Sequence, residues 1–102
     1  MKAGTGQTIY DLILSVDNNN DPITATTFNI DVYQENAIYT GVTVNILLSN
    51  PVTGTFSSSW SANTIGNYQI YYQNVVTSVV YISDKYQIVP DSELQTNIFI
   101  GI

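Results

Sequence analysis

Chemistry in this chain falls to carboxylates, because the side chains that most often carry it elsewhere are missing. Histidine and cysteine are both absent, and the only basic side chains are Lys2 and Lys85. Their absence removes the commonest general base, the thiol nucleophile and any Cys- or His-ligated metal. Asp11, Asp31 and Glu35 are the candidates for a glycosidase pair, which needs two carboxyl groups facing each other across a cleft. All three alternate with apolar residues, so they read as solvated strand surface. A serine nucleophile has no histidine to activate it, and Lys85 stands in no recognisable motif. No catalytic residue is assigned, and the chain is expected not to be an enzyme.

Asp17-Asn18-Asn19-Asn20-Asp21 superficially matches the opening of a calcium loop, with oxygen ligands at alternate positions. Pro22 stands where the loop glycine belongs, and Phe28 stands where the bidentate glutamate belongs. The stretch therefore reads as a polar turn, and no metal residue is assigned. Gly4-Thr5-Gly6 is too short for a phosphate loop, so no cofactor is expected.

Two sets of residues could bind rather than react. Trp60 with Tyr68, Tyr71, Tyr72, Tyr81 and Tyr86 could line a carbohydrate platform, but their strand spacing favours core and cross-strand packing. The apolar segment near the end of the sequence, with Ile98, Phe99, Ile100 and Ile102, is the stronger candidate for partner binding. Each of those side chains contributes about 1.5–3 kcal/mol when buried. Either the segment is the last strand of the domain or it docks on another subunit.

The elements that must position these residues are strands. One domain fits 102 residues. In Val42–Leu48 apolar residues recur every second position, Asn50-Pro51-Val52-Thr53-Gly54 turns the chain, and Phe56, Ser58 and Trp60 resume the alternation. Asn63 to Asn67 leads into Tyr68, Ile70 and Tyr72, so residues 42–72 read as an antiparallel meander. Upstream, a strand over 8–16 is expected to bury Tyr10, Leu12, Leu14 and Val16, and another covers 26–34. Downstream, a long apolar strand is expected over 75–82, a bend at Ser83-Asp84-Lys85, and a strand over 86–89 stopped by Pro90. Residues 1–7 are expected to be a mobile leader or a subunit-docking arm, 8–90 the domain, and 91–102 a C-terminal arm or final strand.

With no helical periodicity, seven or eight short strands point to an all-β, immunoglobulin-like β-sandwich with extended terminal arms. Tyr68 occupies the position of a tyrosine that pins a strand corner in such sandwiches.

The net charge of −6 argues against nucleic acid, whose phosphates require Lys and Arg, and equally against anionic membranes. No stretch is apolar enough for a signal segment or a membrane span, so synthesis in a cytoplasm is expected, and no N-glycosylation acceptor occurs, which argues against a eukaryotic surface module.

The segments "VTGTFSSSWSANTIGNYQIYY" and "VVYISDKYQIV" resemble the small immunoglobulin-like domains of tailed-phage virion proteins, such as the N-terminal domains of baseplate upper proteins. The family pattern has an Asp-Pro hairpin where this chain has Asn50-Pro51. A small domain of this kind is also similar to head auxiliary, or capsid decoration, proteins, including those of crAss-like phages. The resemblance implies a non-enzymatic virion structural protein, without catalytic residues or cofactor. It would be made in the bacterial host cytoplasm and reside in the virion; its partners would be the major capsid protein or other virion subunits, and a homo-oligomer within the particle is open. The alternative is a carbohydrate- or receptor-binding module of a phage fibre or baseplate.

Overall fold

The computed structural model describes residues 1–90, and within them the chain is all-β. The strands are β1 (Lys2–Gly4), β2 (Ile9–Leu14), β3 (Phe28–Gln34), β4 (Ala37–Ile38) and β5 (Asn45–Asn50). They continue with β6 (Thr55–Trp60), β7 (Gly66–Asn74), β8 (Val80–Ile82) and β9 (Tyr86–Val89). Two sheets form a β-sandwich. One has three strands in the order β2-β6-β5. The other has six, ordered β1-β9-β7-β3-β4, with β8 also pairing β7.

The β5–β6 hairpin forms at the expected turn. Gly54 takes φ of +73°, and a Cβ there would collide with the carbonyl of Ser15, so only glycine fits. From Trp60 onward the expected meander fails. β7 does not pair with β6 but crosses to the other sheet, where it lies between β3 on one side and β8 and β9 on the other. Tyr68 holds that crossing, because its hydroxyl donates back to the carbonyl of Thr64 at 2.7 Å.

The core lies between the sheets. Phe56 and Trp60 of β6 meet Tyr68, Ile70 and Tyr72 of β7, Tyr86 and Ile88 of β9, and Val32 of β3. Trp60 is 2 % exposed, as its alternation predicts, with its ring 5.8 Å from Tyr68 and 5.6 Å from Tyr86. Val42, Val44 and Ile46 pack half-buried against the same cluster.

Three expectations fail for identifiable reasons. Residues 1–7 are not a loose leader: β1 pairs in parallel with β9, Lys2 opposite Gln87 and Gly4 opposite Val89, and Ala3 enters the core. β2 turns its other face inward, burying Ile9, Asp11, Ile13 and the following Ser15, while Tyr10, Leu12 and Leu14 stay exposed. A strand's side chains alternate strictly, so the whole set moves together, and the inward polar members find buried partners described below. The apolar run 75–82 is not one strand. Asn74 Oδ1 accepts the N–H groups of Val76 and Thr77, its carbonyl accepts that of Ser78, and the chain turns back into β8. Between β8 and β9, the expected bend is real. Ser83 exchanges bonds with Ile70 through its N–H and its Oγ, bridging the gap between the two strands along β7.

Candidate functional site

The carboxylates named as a catalytic pair are not brought together. Glu35 lies exposed in the β3–β4 turn, where it and Asn36 take φ of +51° and +66°. Asp31 is exposed on β3. Asp11, expected on a solvated surface, is instead buried between the sheets at 6 % exposure. Its Oδ2 accepts the Tyr72 hydroxyl and its Oδ1 the Tyr86 hydroxyl, each at 2.8 Å.

Tyr72 has one proton, and it goes to Asp11. The 2.7 Å contact between Tyr72 and Ser58 therefore needs Ser58 Oγ as the donor. The chain Ser58 to Tyr72 to Asp11, with Tyr86 closing from the other side, ties both sheets together. Burial above all, reinforced by the nearby Asp11 carboxylate, holds the Tyr72 and Tyr86 phenols well above their ordinary range. Every side chain of this network is hydrogen-bonded to another member, and the bonds that cross from β2 and β6 to β7 and β9 fasten the sandwich. A second buried tie joins Ser15 Oγ to Asn74 Nδ2 at 2.9 Å and to the carbonyl of Ile23 at 2.7 Å.

The Asp17 loop is satisfied locally. Asp17 Oδ1 accepts the N–H groups of Asn19 at 2.8 Å and Asp21 at 3.0 Å, as a polar turn requires. Among the described residues no group of three acidic side chains is placed to hold a metal ion.

The aromatic platform is dismantled by the fold. Trp60, Tyr68, Tyr72 and Tyr86 face the core, and Tyr71 leans on Tyr33 with ring centres 4.9 Å apart. Trp60 Nε1 is buried with no acceptor among the described residues.

Three surface features remain. The first is a groove of about 440 Å³ between the β3–β4 turn and β9. Lys2, Lys85 and the Met1 amine all border it, facing Glu35, Asn36, Asn67 and Gln87. Asn67 donates to Glu35 from its backbone at 2.7 Å and from its side-chain amide, which pulls the Glu35 carboxyl below its ordinary value.

The second is the hairpin between β7 and β8, where Val75, Val76, Val79, Val80 and Ile82 are all exposed. The third is the outer face of the three-stranded sheet, where Tyr10, Leu12, Leu14 and Leu47 stand in solvent. Sequence reading missed both apolar surfaces, since it turned Tyr10, Leu12 and Leu14 toward the core and read 75–82 as one continuous strand. No local signal marks the choice on β2, because the partners that hold Asp11 and Ser15 inside lie about sixty residues or more along the chain. The expected partner-binding residues Ile98, Phe99, Ile100 and Ile102 lie outside the described residues.

No family model matches the chain, and neither the comparison with curated proteins nor that with solved structures yields a match.

Proposed function

We propose that this chain is a non-enzymatic structural subunit that works by docking on other proteins, of the type tailed phages carry on the virion as head auxiliary, or capsid decoration, proteins. On this reading an immunoglobulin-like sandwich is held to the major capsid protein or another virion subunit by protein–protein contact alone. The observation that carries the proposal is the β7–β8 hairpin. From Asn74 to Ser83 it has no charged residue, and its four valines and Ile82 are 46–65 % exposed. Fully burying each such side chain is worth about 1.5–3 kcal/mol. The cost of association consumes much of that gain, but repetition over many copies of a particle multiplies weak contacts into firm attachment. Ile98, Phe99, Ile100 and Ile102 belong to the same proposal as a second apolar contact.

Co-sedimentation tests it. Virions banded from an infection expressing the tagged chain should carry it, and the V76E/V79E variant should stay in the supernatant. A wild-type chain that remains in the supernatant refutes the reading.

One observation favours a second reading, a receptor-binding module. The groove gathers every cationic side chain of an acidic protein beside amide groups, which suits an acidic saccharide. Amide shifts at Asn36, Lys85 and Gln87 on titration with uronic-acid oligomers would support it. Their absence at millimolar concentration would remove it.

A further inference from the structure

The outer face of the three-stranded sheet can be laid out residue by residue from its register. Tyr10 of β2 stands opposite Ser59 of β6, which stands opposite Asn45 of β5. The next outward row is Leu12, Ser57 and Leu47, and the one after begins Leu14, Thr55. The central strand thus carries only small hydroxyl side chains, half-buried between taller neighbours. Leu12 and Leu47 rise on either side at 64 % and 73 % exposure, with Tyr10 and Leu14 extending the β2 ridge at 67 % and 63 %.

The result is a trough along β6 flanked by an apolar ridge on β2 and by Leu47 on β5. Ridges two strands apart stand about 10 Å from each other, the width in which one row of side chains from a facing sheet can lie.

We infer that this face binds a second copy of the same chain, sheet against sheet, about a two-fold axis. The β2 ridge of one copy lies in the β6 trough of the other, and the reverse holds at the same time. Such reciprocity is what an isologous interface demands, and a single face that carries both ridge and trough supplies it.

Charge selects the occupant. The chain carries −6, so two copies repel over most of their surface, and their meeting place must be one without carboxylates. The nine positions of these rows that the register fixes, completed by Asn50 opposite Thr55, include no acidic or basic residue. Asp11, the only carboxylate in β2, β5 or β6, points the other way into the core.

Area is adequate as well. At those exposures Tyr10, Leu12, Leu14 and Leu47 present roughly 500 Å², and the hydroxyl trough adds to it, against about 800 Å² per partner in a standard interface. The exposure of these four side chains means that none of the described residues covers the face.

This inference goes beyond the docking function and stands independently of it, since Val75, Val76 and Val79 lie in the turn between β7 and β8, and Val80 opens β8, all on the other sheet. The test is sedimentation velocity of the full chain from about 1 to 200 µM, a range that spans ordinary reversible dimers. A dimer is expected, and Leu12→Glu or Leu47→Glu should weaken self-association at least ~100-fold, because each substitution enters the symmetric interface twice. Leu12→Ala, with no new charge, should weaken it less while leaving Trp60 emission unchanged, which separates loss of pairing from loss of fold. V76E/V79E should leave the dimer intact.

Isotope-filtered NOEs between labelled and unlabelled copies should connect the Leu12 and Leu47 methyls to β6 of the other copy. A wild-type chain monomeric throughout the range overturns the inference, and so does a dimer indifferent to both glutamates. NOEs that instead join those methyls to Ile98–Ile102 of the same chain would assign the face to that segment and overturn it too.

Discussion

Removing one oxygen from the interior should reveal how much the Asp11 network contributes. In Tyr72→Phe the ring stays, so the packing against the core is unchanged, but two bonds go at once. Asp11 Oδ2 loses its 2.8 Å donor, and Ser58 Oγ, fully buried, loses its 2.7 Å acceptor. A hydrogen bond to a charged group is worth about 1.5–3 kcal/mol, and an orphaned buried hydroxyl costs about 1–3 kcal/mol. The two overlap, because the Ser58 hydroxyl can reorient, so a loss of about 2–4 kcal/mol is expected. Against a typical total of about 5–15 kcal/mol, that is a large share. For a domain of this size it corresponds to a fall in Tm of roughly 10–25 °C. Urea unfolding followed by Trp60 fluorescence measures it, with an unchanged m-value as the sign that only stability moved. Ser58→Ala combined with Tyr72→Phe should cost less than the sum of the two by about 1 kcal/mol, since the second change removes the group the first one strands. A Tyr72→Phe cost below about 0.5 kcal/mol would refute the claim that this network fastens the sheets.

Four further outcomes are expected. Trp60→Ala should cost about 3–5 kcal/mol, and native Trp60 emission should be blue-shifted; emission typical of a solvated indole would contradict its burial. Tyr72 and Tyr86 have folded-state pKa values raised above the ordinary tyrosine value of 10.0. Below that value both states keep the proton; above it the unfolded chain releases protons the folded chain retains, so stability should fall as pH rises past about 10. Phenolate absorbance should show these two tyrosines titrating only with unfolding. Chelator should leave Tm unchanged, because the Asp17 carboxylate already serves its own turn, and a drop of about 5 °C or more would restore a metal to the loop. Deleting residues 91–102 should leave a cooperative transition within a few degrees of the full chain, as measured by circular dichroism, since the core cluster is assembled from residues 3–88.

What was legible in the sequence is what depends on neighbours. Phe56, Ser58 and Trp60 alternate with Ser57 and Ser59, and the turn at Asn50–Gly54 carries its own chemistry, so β6 and its hairpin follow directly. Tyr68 finds its partner Thr64 four residues back. The orientation of β2 was not legible. Both of its alternating sets hold apolar residues, and the choice rests on Asp11 meeting hydroxyls 61 and 75 residues further along. Leu12 and Leu14 look like core until those partners are known. The β1 strand is equally remote, since three residues read as a leader become a strand only because β9 offers an edge. The hydrophobic run 75–82 misleads for the opposite reason: local bonding by Asn74 overrides its strand propensity.

The parallel pairing of β1 with β9 gives the domain a mechanical character. Lys2 lies beside Gln87 and Gly4 beside Val89, so the chain enters β1 at one end of the pair and leaves β9 at the other. Tension applied at Met1 and at Pro90 therefore pulls the two strands past each other along their length. Every bond across the pair, together with those from Thr5 to Val89 and from Gln87 to Met1, is loaded at the same instant and must break together. A hairpin such as β3–β4, pulled from its open end, yields one bond at a time. Rupture under load is set by the unfolding rate and not by equilibrium stability, so the sandwich should resist stretching along this axis far better than its few strands suggest.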